Sequence, residues 1–434
     1  MRLLAMLMAI LLLVACGTDQ PTETEPTEPD TNQPTEPETD PEEDQEEGET
    51  VSTEPVTIEF WHAMNFEQEN ALTKITEDFM ADHDHITVEL MNQSSYPDLQ
   101  AKINSTLVSP DDLPTITQAY PGWLYTAAQD GQLVDLGPYM DRIDDLEDVV
   151  PALVEGAKIE GVQYGIPFNK STEVLYYNAD ILEEYGVEVP TTMEELKEAS
   201  QKIYEESDGE IVGVGWDSLN NYYSIGMANQ GIEFDNNIDI TGEESVEVMK
   251  FYQEGIRDGY FRIAGEDRYL SGPFGAGVIA MNIGSMAGEA YVRDGAEGNF
   301  EYGVAVRPGE MNIQQGTDIY MFSSASQEEI DAAITYLNYI ISADAQLYWA
   351  IQSGYMPVRT SVQESDEYKS SETKTAPILA DATENLFSLP VINNADAAYN
   401  MAREFTEKIL ADPNSDVEAV LEEYQPLLEQ TWNQ

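Results

Sequence analysis

Apolar and polar side chains alternate over Val56-Thr57-Ile58-Glu59-Phe60-Trp61 with the two-residue period of a half-buried strand. Leu72, Ile75 and Phe79 then recur at the spacing of one helix face. The cycle repeats: Ile86 to Met91 reads as a strand, Leu99 to Leu107 as a helix, and Pro114 to Gln118 as a short strand before a helix near Trp123. This β-α-β-α-β opening predicts a mainly parallel sheet with right-handed crossovers. Farther on, Val162 to Phe168 and Glu173 to Tyr177 predict two short strands. Val278 to Met281, Tyr302 to Val306 and Ile319 to Phe322 predict buried ones. Capping-box spacing marks helix starts where Thr191 and Thr192 precede Glu194 and Glu195, where Ser326 precedes Glu329, and where Ser415 precedes Glu418. Long helices are expected over most of the chain beyond Ser326. Strands interleaved with helices, without a repeat period, fit two α/β lobes better than one sheet or a solenoid.

Two N-terminal segments lie outside this pattern. Leu3 to Ala15 is an unbroken apolar run of 13 residues, short of the ~20 that span a bilayer but suited to a signal peptide. Leu13-Val14-Ala15-Cys16 resembles the bacterial lipoprotein box. Residues 1–16 are therefore expected to be a signal peptide ending at Cys16, whose lipidated thiol would anchor the protein to the outer face of the membrane. An ordinary signal peptide with an incidental cysteine is the alternative. Residues 17–55 hold fifteen acids, seven prolines and no base, with Val51 as the only sizeable apolar residue. Such a segment cannot bury a core, and reads as a disordered acidic tether or a partner-binding tail.

The whole chain carries 83 acidic and 19 basic residues, a net charge of −64. That balance excludes a nucleic-acid partner, which needs clustered cations. Without the leader and the tether the body still carries −50. This excess is expected to be an adaptation of an extracytoplasmic surface to a saline or alkaline medium. A single cysteine excludes a disulfide framework and Cys-built metal sites.

Most motifs fail their own structural requirements. Phe274 to Ala280 matches G-x-G-x-x-A, yet strand-forming residues follow the glycines where a nucleotide-binding helix should start. Asp235, Asn237 and Asp239 begin like a calcium loop, but Ile240 replaces the turn glycine and Val246 the bidentate acid. His83-Asp84-His85 lacks a nearby third ligand. No nucleophile elbow or H-E-x-x-H is present, although a glycosidase carboxylate pair could sit among so many acids. What remains is a concentration of aromatics and amides near predicted strand ends: Trp61, His62 and Asn65; Tyr96; Tyr120 and Trp123; Trp216 with Asn220, Asn221 and Tyr222; and Tyr355. Aromatic faces pack on sugar C–H faces while amides and hydroxyls satisfy sugar hydroxyls. Ordinary core packing is the other reading of each aromatic.

Five stretches resemble the extracellular solute-binding proteins, family 1, of bacterial ABC importers, a group that includes maltose- and glycerol-3-phosphate-binding proteins. They are Phe60-Trp61-His62-Ala63-Met64; Tyr164 to Asn178 with its Leu175-Tyr176-Tyr177-Asn178 ending; Val189 to Leu196, with Met193 where tryptophan is usual; Phe274 to Ser285; and Gly354-Tyr355-Met356-Pro357-Val358-Arg359. The resemblance implies two lobes, each a mainly parallel sheet flanked by helices. It places the N-terminal lobe at 56–172 plus 318–354 and the C-terminal lobe at 173–317 plus 355–434. Hinge crossovers are implied near Lys170 to Val174, Gln315 to Ile319 and Gly354 to Arg359. It also implies a monomer without catalytic activity or cofactor, which binds a solute between the lobes and delivers it to an ABC permease.

By the same resemblance, ligand positions of the glycerol-3-phosphate group match in type at Tyr96, Ser171, Trp216, Ser285, Gly316 and Tyr355. Two do not match. Ala119-Tyr120-Pro121 replaces a glutamate, and no base stands near Ile392 to Ala395, where a phosphate-binding arginine is usual. Loss of that fork favours a neutral mono- or oligosaccharide over glycerol 3-phosphate or a glycerophosphodiester, with Lys170 and Arg359 left as candidate anion binders. Stacking is expected from Trp216, Tyr355, Tyr120 and Trp123. Hydrogen bonds are expected from Tyr96, Ser171, Ser285, Asn65 and the backbone at Gly316. An extracellular glycosidase and a surface adhesin remain alternatives of other classes.

Overall fold

The structure, a computed structural model, describes residues 54–433; Cys16, the expected signal peptide and the part of the expected tether within residues 1–53 lie outside the described residues. Ten strands of three or more residues are present there: β1 (Val56–His62), β2 (Ile86–Asn92), β3 (Ile116–Ala119), β4 (Gly165–Ser171), β5 (Glu173–Asn178), β6 (Val212–Trp216), β7 (Phe261–Ile263), β8 (Ile279–Ser285), β9 (Tyr302–Val306) and β10 (Gln315–Met321). They form two five-stranded sheets, in the orders β2-β1-β3-β10-β4 and β9-β5-β8-β6-β7. Ten helices of eight or more residues flank them: α1 (Glu67–Asp82), α2 (Tyr96–Thr106), α3 (Met193–Glu206), α4 (Leu219–Asn229), α5 (Glu243–Asp258), α6 (Glu289–Ala296), α7 (Gln327–Ile340), α8 (Ala343–Ser353), α9 (Ala395–Ala411) and α10 (Val417–Trp432).

Four strands of each sheet point the same way and one is reversed: β10 in the first sheet, β5 in the second. The cause is the chain's path. β4 ends the first sheet at Ser171 and, one residue later, β5 begins the second at Glu173. A strand that arrives from the other sheet starts at the intervening crevice instead of ending there. The crossover segments lie side by side: Gly316 is opposite Lys170 in the β10–β4 register, and Met356 bridges to Lys170 with its N–H 2.9 Å from the Lys170 carbonyl.

Periodicity becomes packing in the expected way. Ala71, Leu72, Ile75 and Phe79 form the buried face of α1. The Phe79 ring meets Tyr336 of α7 edge-on at 5.0 Å, and Phe60 of β1 approaches the same ring at 6.2 Å. Full burial of each such side chain contributes roughly 1.5–3 kcal/mol. α7 and α8 pack on β1 and α1, whereas α9 and α10 pack on α4 and α5. Thr192 with Glu195 and Ser326 with Glu329 form complete capping boxes. At the third predicted start the cap shifts by one residue. Asp416 accepts from the Ala419 N–H at 3.2 Å, because the Ser415 hydroxyl is engaged with the Ile409 carbonyl and the Gln253 amide. The glycines of Phe274 to Ala280 close a short helix, Ser271–Gly275, ahead of β8, the reverse of the order a dinucleotide fold requires.

Candidate functional site

A cavity of about 620 Å³ lies where the two sheets present their strand ends. From the first sheet, β1 leads into Ala63 and Asn65, β3 into Tyr120, and β4 ends at Ser171. From the second, β6 leads into Asp217 and Ser218, and β8 ends with Asn282 and Ser285 on the wall. The reversed strands contribute their first residues, Glu173 from β5 and Gln315 and Gly316 from β10. Registers join these contributions: Ser285 pairs with Glu173 and Ser171 with Gln315.

The hydroxyls form a connected set. Ser171 and Ser285 place their Oγ atoms 2.6 Å apart across the two sheets. The Tyr96 and Tyr355 hydroxyls lie 2.8 Å apart, and Asn169 Nδ2 donates to Tyr96 at 2.8 Å. Burial pushes the Tyr96, Tyr120 and Tyr355 hydroxyls up, so they stay neutral donors. Tyr355 is held by a parallel stack on Trp349, 5.7 Å between ring centroids and 8° apart. At Gly316, φ is +88° and a Cβ would sit 2.0 Å from the Asn169 carbonyl, so only glycine fits this turn into β10. The Gly316 N–H donates to the Tyr120 hydroxyl at 3.4 Å.

Of the carboxylates that line the cavity, Glu173 and Asp217 are in different states. Both Glu173 oxygens are engaged, one by Asn221 Nδ2 at 2.8 Å and the other by the buried Arg307 Nε at 3.1 Å. Burial pushes its carboxyl up while Arg307 and Asn221 oppose the shift. Asp217 has no cationic partner within an ion-pair distance among the described residues; burial pushes its carboxyl up to about 7, against the Leu270 N–H that donates to it at 2.7 Å. Asn282 Oδ1 and Gln315 Oε1 are buried acceptors without a hydrogen-bond partner among the described residues. An unpaired buried amide oxygen costs about 1–3 kcal/mol, which a donor on a bound molecule would recover.

Of the nine residues singled out from sequence, seven line this cavity: Asn65, Tyr96, Tyr120, Ser171, Ser285, Gly316 and Tyr355. Trp123 lies on an adjoining cavity of about 350 Å³. Trp216 lies on neither. It is fully buried in the core of the second sheet, with its ring 4.6 Å from Tyr252 and 5.2 Å from Tyr222 and Phe261. It ends β6 pointing away from the cleft, and the next residue, Asp217, reaches the wall instead. The two candidate anion binders are committed elsewhere. Lys170 pairs with Asp318 at 2.8 Å, both buried. Arg359 donates to the carbonyls of Ile341, Asp144 and Asp145. Trp61 and His62 are core residues.

Sequence reasoning missed the mouth. Phe66 and Tyr291 meet edge-on there at 6.1 Å, and Tyr269 and Arg268 stand on the loop before β8. Arg268, exposed and at φ +64°, has no ion pair among the described residues. It also missed Asn282, Gln315 and Asp217.

The family model described as bacterial extracellular solute-binding protein matches residues 74–376. The sn-glycerol-3-phosphate-binding periplasmic protein UgpB of Rhizobium meliloti is 24% identical over 353 residues, 74% of this chain and 80% of the relative. Among solved structures, UgpB from Mycobacterium tuberculosis in complex with glycerophosphocholine superposes with a TM-score of 0.78 at 20% identity, covering 87% of this chain and 98% of that one. Maltose-bound MalE3 of T. maritima superposes with a TM-score of 0.77 at 20% identity, covering 86% and 99%. At such identities these structures share the two-lobed fold with this chain.

Proposed function

Because the chain belongs to the bacterial extracellular solute-binding protein family, we propose that it captures a neutral carbohydrate in the cleft between its sheets and presents it to the membrane subunits of an ABC importer. One observation carries the carbohydrate reading: the buried, unpartnered acceptors Asn282 Oδ1 and Gln315 Oε1 on a wall otherwise rich in neutral hydroxyls. A polyol supplies donors to both and accepts from the serine and tyrosine hydroxyls in turn. Ligand that touches both sheets would favour an arrangement in which the lobes close around it.

The lobes of this reading are 56–172 plus 318–354 and 173–317 plus 355–434, with Asn65, Tyr96, Tyr120, Ser171, Ser285, Gly316 and Tyr355 as the ligand-facing set. The protein acts as a monomer held to the membrane through Cys16, and it performs no chemistry on its ligand. Glu173, with both oxygens engaged, is poorly placed to act as a glycosidase acid or base.

Arg268 supports a second reading. An unpaired guanidinium at the mouth suits glycerol 3-phosphate or a glycerophosphodiester. A thermal-shift screen of the full chain against mono- and oligosaccharides, glycerol 3-phosphate and glycerophosphocholine decides between them. Stabilisation by saccharides, recovered intact, is the expected result; stabilisation by the phosphorylated compounds alone overturns the carbohydrate reading.

A further inference from the structure

The adjoining cavity of about 350 Å³ shares a wall with the first: Tyr96, Tyr120, Ser218, Gln315 and Gly316 line both. Gln315 Oε1, the unpartnered acceptor, therefore stands where the two meet. Beyond that wall the lining changes. The half-buried Trp123 ring is braced by Tyr120 at 5.1 Å and Tyr96 at 6.2 Å, which fixes its plane without covering it. Asn220, Asn400 and Asp396 surround it with donors and acceptors, and no cation except the committed Lys170 is present. Asp396 accepts from Gln100 Nε2 at 2.7 Å. Gln100 belongs to α2, which packs with the first sheet through Leu99 and Ile103, while α9 carries Asp396 beside the second, so this hydrogen bond spans the cleft.

We infer that the two cavities are consecutive glycosyl subsites, and that the preferred ligand is a neutral saccharide of at least two rings, passing over Gln315 and Gly316 with one ring stacked on Trp123. This rests on the carbohydrate reading of the cleft. Each cavity alone falls within the roughly 300–1,000 Å³ of sites that enclose a small ligand. A single sugar ring fills one and leaves the tryptophan platform without a partner. Asp396 in the second cavity opposes a phosphate there and accepts from hydroxyls.

Isothermal titration of the full chain with mono-, di- and trisaccharides, glycerol 3-phosphate and glycerophosphocholine tests this, repeated on two variants. Trp123→Ala removes the platform. Gly122→Val adds bulk at a position where a Cβ meets nothing nearer than the Asp396 Cβ at 3.8 Å, so it narrows the second cavity without touching the first. The expected result is tightest binding by a saccharide of two or more rings. Trp123→Ala should weaken it roughly 30-fold, the loss usual for truncating a central aromatic anchor, and Gly122→Val should act in the same direction while leaving single-ring affinity unchanged. The inference is overturned if a monosaccharide binds as tightly as any longer ligand, or if both variants, melting normally, leave the longer ligand's affinity intact. Binding of the phosphorylated compounds alone refutes the carbohydrate reading itself, and that arm is read on the unaltered protein before any variant is compared.

Discussion

Lys170→Met removes the cation from the buried pair that lies in the crossover strands. In the native protein Lys170 Nζ is 2.8 Å from Asp318 Oδ1 and 3.3 Å from the Gly316 carbonyl, and the two side chains are 2% and 0% exposed. Among the described residues only the neighbouring Tyr320 hydroxyl would then remain to offset the carboxylate's lost hydration. Breaking one side of such a pair costs about 3–5 kcal/mol. Over the 380 described residues, a melting entropy of ~2.1 cal/mol/K per residue makes this a fall of about 4–6 °C in Tm. The deficit should depend on pH with a definite sign. Burial already pushes the Asp318 carboxyl up and Lys170 opposes it; with the lysine gone the carboxyl rises further, and lowering the pH neutralises it in the folded state. The loss relative to the native protein therefore shrinks toward acid pH. Replacing both residues, Lys170→Met with Asp318→Leu, should restore most of the stability or exceed it by ~1–4 kcal/mol. Scanning calorimetry at mildly acidic and mildly alkaline pH reads all three quantities. A single-variant shift below ~1 °C would refute the reasoning, as would a deficit equal at both pH values or a double variant as damaged as the single.

Three further outcomes are expected. His62, buried beside Phe60 with its Nδ1 accepting from the Met64 N–H at 3.2 Å, has its imidazole lowered by burial from 6.5 to about 4. Its contribution is complete above about pH 6.5 and is lost as pH falls to about 4, on the order of 3 kcal/mol. His62→Gln should flatten that acid limb in urea titrations, and an unchanged limb contradicts the assignment. Asp217 acts with the opposite sign, since its raised carboxyl makes the native protein less stable as pH rises from 3.8 to about 7. Asp217→Asn should therefore gain stability at neutral pH, by at most ~4 kcal/mol, and gain none near pH 3.8; equal gains at both would show that charge burial is not the cause. Gly316→Ala should destabilise more than Gly131→Ala. Both positions have positive φ, +88° and +70°, but only at Gly316 does the added Cβ meet backbone, at 2.0 Å, and equal losses in chemical denaturation would refute the clash.

Local periodicity carried the first β-α-β-α-β stretch and two of three capping boxes, because those features depend on neighbours in sequence. The capping shift from Ser415 to Asp416 turned on a partner far away, Gln253. Trp216 shows a different limit. An aromatic at a strand end can face the cleft or the core, and alternation fixes the choice only once the sheet's two faces are known. The most informative omission is the pair Glu173 and Gln315. Attention to the carboxyl ends of strands passes over residues that begin a strand, yet in β5 and β10 those are the ones at the crevice. Asn282 left no signal at all, since one amide in an apolar strand stands out only when its oxygen is seen to lack a partner.

The path by which β4 runs into β5 and β10 returns has a further consequence for how such proteins diversify. Each wall of the cleft is assembled from separate pieces of chain, so no single cut divides the molecule into two parts that each keep a whole sheet. One recombination junction between two related genes would mix strands within a sheet, and lobe exchange needs a junction at every crossover. Change in ligand preference is thereby steered away from the shuffling of halves and toward point substitutions and loop replacement at the crevice, where Phe66, Arg268 and Trp123 stand.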